Sequence, residues 1–355
     1  MEIYNSTSLQ ELLKIKRATL FEKIENEILL SIKKKLKTKT KIYIPSIFLE
    51  YFHINAKRFL KDENLTIKEA LLKIENPTQI YPKLSAKVYV NANIKGGVGK
   101  TILSVNLAHV FSILKKKVLI IDLDPQANST DYLQARSEKN IKTLMDYYFE
   151  HKKFDKKMIQ ESISTISFEN GKIDIISSEI MFARSLEYAR VMLDNPHRIL
   201  YKLLKEIKDE YEFIIIDTPP SPGLAQQMAI YATDKIIIPT LPDEFSIDGL
   251  LDLIKEVNYV KDEFDKQNIE ISAIFINKAK TTNIAKANID MIEQIAQQAN
   301  IENVYKIPDN SRILEAVNLK LPLLEYKPEL DVNLKGSESI LEYGCLETIK
   351  NCTVQ

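Results

Sequence analysis

The stretch Lys95-Gly96-Gly97-Val98-Gly99-Lys100-Thr101 decides how the rest of the chain is read. Upstream lies the apolar run Val88-Tyr89-Val90; downstream, Leu103, Val105, Leu107, Ala108 and Val110 recur at helical spacing. Strand, glycine-rich turn and helix N-terminus in that order build an anion site. Successive backbone N–H groups converge there, and the helix dipole adds positive potential. Glycines let the backbone approach phosphate oxygens closely. In the phosphate-loop pattern G-x-x-x-x-G-K-[ST] the lysine reaches β- and γ-phosphates and the hydroxyl ligates Mg²⁺, tasks that fall to Lys100 and Thr101. The pattern asks for glycine at position 94, where this chain has Ile94, and a second lysine, Lys95, stands just inside the loop.

Working outward, 355 residues suffice for one large domain and a smaller one. Forty-nine basic residues balance forty-nine acidic ones, but unevenly. Residues 1–86 hold sixteen Lys and Arg against ten Asp and Glu, so this part carries +6 and the remainder −6, a basic arm on a near-neutral protein. Cys345 and Cys352 match no metal-site spacing and are expected to be reduced thiols. No apolar run approaches the roughly 18 residues of a membrane span, and the N-terminus lacks a signal-peptide core. A cytoplasmic protein is expected.

Residues 1–76 contain no glycine and read as a mostly helical domain. Ser8-Leu9-Gln10-Glu11 has the form of a capping box, and Arg17 to Ile24 has helical spacing, so the pair reads as a candidate helix-turn-helix with Arg17 and Thr19 opening its second helix. The basic run Lys33-Lys34-Lys35-Leu36-Lys37 suits phosphate contacts. A helical docking or dimerisation arm with a solvated basic face is the alternative to DNA binding here. Prolines at 77 and 82 make 77–86 the expected linker.

From residue 87 to 328 apolar β-branched runs alternate with helical patterns. Val118–Ile121, Phe213–Ile216, Lys235–Ile238 and Ile271–Ile276 read as buried parallel strands. Helices are expected near 179–193, 197–210, 245–264 and 284–300. The predicted fold is a doubly wound, mostly parallel α/β sheet of the P-loop NTPase kind, preceded by the small helical domain and followed by a tail, 329–355, with a helix. Ligands of such a sheet sit at the carboxyl ends of its strands. Two carboxylate motifs end strands there, Asp122-Leu123-Asp124-Pro125-Gln126 and Asp217-Thr218-Pro219-Pro220. A carboxylate so placed can hold Mg²⁺ through water, orient an attacking water, or merely cap a helix.

Taken in order, K-G-G-x-G-K-T, D-x-D-P-Q and D-T-P-P resemble the ParA/MinD family of deviant Walker A ATPases, closest to ParA partition proteins with an N-terminal extension. Ser246-Ile247-Asp248-Gly249-Leu250, Ile276-Asn277-Lys278 and Ile307-Pro308-Asp309-Asn310-Ser311-Arg312 continue the likeness. The resemblance implies ATP cradled by Gly96, Gly97, Val98, Gly99, Lys100, Thr101 and Ile102, with Asn277 and Pro308 beside the base. It implies Mg²⁺ at Thr101 and Asp217, Asp124 positioning the hydrolytic water, and Lys95 reaching the partner's phosphates in a nucleotide-sandwiched homodimer. Lys280 and Arg312 match positions near basic residues that relatives use on non-specific double-stranded DNA.

The tail 337–355 carries Glu338, Glu342 and Glu347 against one lysine, Lys350, which disfavours a membrane-binding amphipathic helix. The expected function is therefore a ParA-type partition ATPase, nucleoid-associated, whose slow hydrolysis a ParB-like centromere-binding partner stimulates. The N-terminal domain would then read operator DNA through Arg17, Thr19, Lys33, Lys34, Lys35 and Lys37. A MinD-like membrane-associated positioning ATPase and a P-loop ligase or synthetase are the alternatives.

Overall fold

The computed structural model describes residues 3–5, 32–36, 39–45, 86–113, 116–169, 171–301, 303–323 and 325–326. The chain divides into two compact units, one of residues 1–83 with 346–355 and one of residues 84–345. In the first, β1 (Ile3–Asn5), β2 (Ile32–Leu36) and β3 (Lys39–Pro45) form an antiparallel sheet in the order β1-β3-β2. Lys34 stands opposite Lys41 and Leu36 opposite Lys39 in its register. This corrects the helical expectation wherever the region is described: Lys33, Lys34 and Lys35 lie on a strand. The reason is visible in β3, where Thr40, Ile42 and Ile44 alternate with Lys39, Lys41 and Tyr43 at a period of two, rich in strand-favouring side chains. Arg17, Thr19, Lys37, the candidate helix-turn-helix, the linker and the tail with Cys345 and Cys352 lie outside the described residues.

The second unit is built on eight strands. Its inner four are β4 (Lys87–Asn91), β5 (Val118–Asp122), β8 (Phe213–Asp217) and β9 (Lys235–Thr240). The outer four are β6 (Ile163–Ser167), β7 (Lys172–Ile176), β10 (Glu270–Ala279) and β11 (Val304–Pro308). The order across the sheet is β11-β10-β9-β4-β8-β5-β7-β6, all parallel except the β6–β7 pair at one edge. Every residue of β5, β8 and β9 is buried, as continuous apolar runs between two helical layers require. The helices are α1 (Lys100–Ile113), α2 (Asn128–Tyr132), α3 (Ile141–His151), α4 (Lys156–Glu161) and α5 (Phe182–Met192). After these come α6 (Ile199–Ile207), α7 (Leu224–Ala232), α8 (Glu244–Glu263), α9 (Asn283–Gln298) and α10 (Ser311–Asn318).

Two features of this fold position the site. Strand order turns back on itself around β4, so the loop after β4 opens into a crevice at the carboxyl end of the sheet. Helix α1 is pinned above the sheet by aromatic packing. The Phe111 ring stacks on Phe213 of β8 with centroids 3.9 Å apart, and Tyr89 of β4 meets both. Truncating a buried ring of this kind costs about 3–5 kcal/mol. The far side of α1 is tied to residues 321–325. Leu323 N–H donates to Asn106 Oδ1 (2.8 Å), Tyr132 of α2 donates to the Leu321 carbonyl (2.9 Å), and His109 Nε2 meets Glu325 Oε1 (2.9 Å). Burial holds the His109 pKa below its ordinary value, although Glu325 works against that.

Candidate functional site

Three neighbouring strands end at one level. Asn91 of β4, Asp217 of β8 and Asp122 of β5 are partners in register, and all three are fully buried. Between β4 and α1 the loop bends through Gly97 (φ 73°) and Gly99 (φ 98°), a conformation that side chains resist. A Cβ on Gly99 would also lie 2.6 Å from Asn277 Nδ2, so only glycine fits the cradle. Lys100, the first residue of α1, turns back over the loop and donates to the carbonyls of Asn93 and Lys95, each at 3.0 Å. Burial lowers its pKa to about 8, with Asp217 and Asp124 opposing the shift.

Asp217 collects hydroxyls. Thr101 and Ser129 donate to its Oδ2 at 2.8 and 2.6 Å, and Ser104 to its Oδ1 at 3.2 Å. Burial raises its pKa in spite of those hydrogen bonds and nearby Lys100. Asp122 is pushed up to about 8 by burial and by the charge of Asp217. Asp122, Asp124 and Asp217 have no ion-pair partner among the described residues. Buried carboxylates beside hydroxyls, with Lys100 near them but in no ion pair, are hard oxygen donors, and Thr101 with Asp217 fits a magnesium ion.

Asp124 belongs to a loop closed by local bonds. Its Oδ1 accepts from the Gln126 N–H (2.9 Å), its Oδ2 from Asn128 (3.3 Å), and its carbonyl from the Ala127 N–H (2.8 Å). Lys95 lies apart from this floor, at the rim. Its amine donates to Asp243 (2.6 Å) and Ser246 (2.9 Å) and stands 5.7 Å from the centre of the exposed Phe245 ring. Asp243 is the N-cap of α8, accepting from the Ser246 N–H. Partial burial works to raise the Asp243 pKa, and the bonds from Lys95 and Ser246 outweigh it, leaving the carboxyl below its usual range.

The other expected residues are spread along the same end of the sheet. Val98 is buried and Ile102 half-buried in the first turn of α1. Asn277, on β10, is hydrogen-bonded through its amide to the Val98 carbonyl, so it supports the loop directly. Pro308 ends β11 opposite Ala279, exposed. The same register sets Lys280 beside Asp309, with which it makes a half-exposed ion pair of 3.4 Å. Arg312 falls in the first turn of α10.

Comparison with known proteins settles what this arrangement belongs to. A family profile described as an AAA domain matches residues 86–271. The sporulation initiation inhibitor protein Soj of Bacillus subtilis is 30% identical over 258 residues, 72% of this chain and 96% of Soj. The chain belongs to the ParA/MinD family of P-loop ATPases. The chromosome partitioning protein ParA of Myxococcus xanthus is 25% identical over 71% of this chain and 84% of its own length. Among solved structures, a McdA–ATP complex from Cyanothece superposes with a TM-score of 0.64 at 20% identity, covering 76% of this chain and 98% of McdA. A plasmid partition protein from Borrelia burgdorferi bound to AMPPNP does so with 0.57 at 22%, covering 74% and 98%. These last two establish the ParA-like fold.

Several members of this ParA/MinD site were not legible as such. Ser104, Ser129, Thr130 and Asn93 carry no motif of their own, and Asp243 reads in sequence as an ordinary helix cap. One signal was available: Ser104 stands four residues after Lys100, on the helix face that looks at β8. Ser129 and Thr130 become visible only once β5 and β8 are set side by side.

Proposed function

We propose that the chain is a ParA-type DNA-partition ATPase that turns over ATP with Mg²⁺ in a nucleotide-sandwiched homodimer. The observation that carries this reading is the cluster at the carboxyl ends of β4, β8 and β5, where Lys100, Thr101 and Asp217 converge on one glycine cradle. Lys100 leaves the loop carbonyls for the β- and γ-phosphates, where charge grows during phosphoryl transfer. Thr101 and Asp217 would hold Mg²⁺, which would supply charge neutralisation at the phosphates. Asp124, two residues beyond the end of β5, orients the attacking water. Lys95 exchanges Asp243 for the partner's phosphates, so that assembly depends on ATP and hydrolysis releases it.

The Myxococcus xanthus relative, named for chromosome partitioning, supports the cargo. Lys280, just past the end of β10, and Arg312, in the first turn of α10, would meet DNA phosphates; the Lys280–Asp309 pair is exposed, worth at most about 1 kcal/mol, and yields readily to a polyanion. A ParB-like centromere-binding protein is the expected stimulatory partner.

The test is turnover. The full chain with ATP and Mg²⁺ should release phosphate, and Asp124→Ala should lower kcat by about 100-fold or more while ATP still binds. Wild-type turnover in that variant would remove Asp124 from its role, and absence of turnover in the unaltered chain would remove the ATPase reading.

A further inference from the structure

Asp122 is the carboxylate of the cluster that the proposed mechanism leaves without a task. It is fully buried at the end of β5 and receives three donors. The Thr130 N–H (2.9 Å) and hydroxyl (2.7 Å) reach its Oδ2, and the Asp124 N–H (3.1 Å) reaches its Oδ1. The Thr130 oxygen in turn accepts from the Ser178 N–H at 2.9 Å. One side chain therefore holds both ends of the loop that carries Asp124, and a second ties that loop to the connection leading into α5.

The loop needs holding. Ala127 sits in the left-handed region (φ 56°, ψ 40°) without the freedom of glycine, a conformation that persists only where its surroundings over-determine it. A carboxylate is also an expensive way to close a loop beside Asp217, because each charge disfavours the other. What it offers over an amide is acceptors on both oxygens. An asparagine would turn its own N–H₂ toward one of the converging donors.

We infer that Asp122 and Thr130 are positioning residues that set Asp124 for the attacking water. The inference rests on the reading of Asp124 as the residue that orients that water. Neither side chain is needed to bind phosphate, so their effect falls on the chemical step rather than on nucleotide affinity.

The experiment is steady-state ATP hydrolysis by the full chain carrying Thr130→Val, which keeps the shape and deletes the hydroxyl, with Thr130→Ser as the conservative rescue. Thr130→Val should lose about tenfold or more in kcat with KM for ATP within about twofold, and Thr130→Ser should recover most of the loss. A kcat for Thr130→Val within about twofold of the unaltered chain overturns the inference, as does a Thr130→Ser variant no better than Thr130→Val. If Thr130→Val is not folded by circular dichroism, Asp122→Asn takes its place under the same criterion for kcat and KM. An unaltered chain without turnover sinks the ATPase reading itself; an active one with unaffected variants sinks only the positioning role.

Discussion

Two lysines five residues apart occupy opposite kinds of environment. Lys100 lies on the floor, buried, bonded to backbone carbonyls and near Asp217, which already accepts from the hydroxyls of Thr101, Ser104 and Ser129. Lys95 lies at the rim, its side chain 27% exposed, paired with an Asp243 that is itself 42% exposed. The floor groups are already gathered at the strand ends, so a phosphate or cation arriving there has only to exchange the partners of Lys100, Thr101 and Asp217. The rim contact is provisional, because an exposed ion pair contributes about 1 kcal/mol or less and can be exchanged for a better anion. A site divided in this way can bind its nucleotide in one protomer and keep the second lysine in reserve.

The largest expected effect tests the floor. Lys100→Ala should abolish ATP binding measured by calorimetry, and ordinary binding would dissolve the contrast. The same residue gives a pH dependence with a defined sign. Its pKa of about 8 without ligand means the ammonium form prevails below pH 8. Bound phosphate favours that form, so affinity is complete below about pH 8 and falls by up to about tenfold per unit above it. Proton uptake on binding above pH 8, read by calorimetry in buffers of different ionisation enthalpy, checks it.

A smaller change in the molecule tests the rim. Lys95→Ala should leave ATP affinity of the protomer within about twofold yet remove the dimer formed with a slowly hydrolysed analogue, as read by light scattering. A normal dimer would end the cross-subunit role. The smallest effect belongs to Asp243→Asn. The amide still accepts from the Ser246 N–H and keeps the cap of α8, so stability should move by less than about 0.5 kcal/mol. With its charge gone, Lys95 is released, and the ATP-dependent dimer should form at several-fold lower protein concentration. An unchanged dimerisation constant would show that the Asp243 contact restrains nothing.

Much of the central domain was legible because its signals are local. The predicted strands at Val118, Phe213 and Lys235 match observed strands to within one or two residues, and that at Ile271 matches β10, which runs three residues further, to Ala279. The helices expected near 245–264 and 284–300 appear as α8 and α9. Less legible were β6 and β7, whose runs are short and interrupted by Ser, Thr and Asp; they pair antiparallel, and their burial depends on neighbours. Strands β2 and β3 stand where helix was expected for a related reason: the basic composition hides a period of two, in which Thr40, Ile42 and Ile44 alternate with Lys39, Lys41 and Tyr43.

By itself the sequence determined the phosphate loop, the family, and the presence of a carboxylate at the end of each of two strands, because those properties reside in residue type and spacing within a few positions. Tertiary structure alone decided which groups those carboxylates face. Asp217 meets Ser129, 88 residues away, and Lys95 meets Asp243, 148 residues away. Such pairings follow from strand order and register, and no local pattern encodes them, since a serine or an aspartate acquires its partner only when the sheet sets distant strand ends side by side.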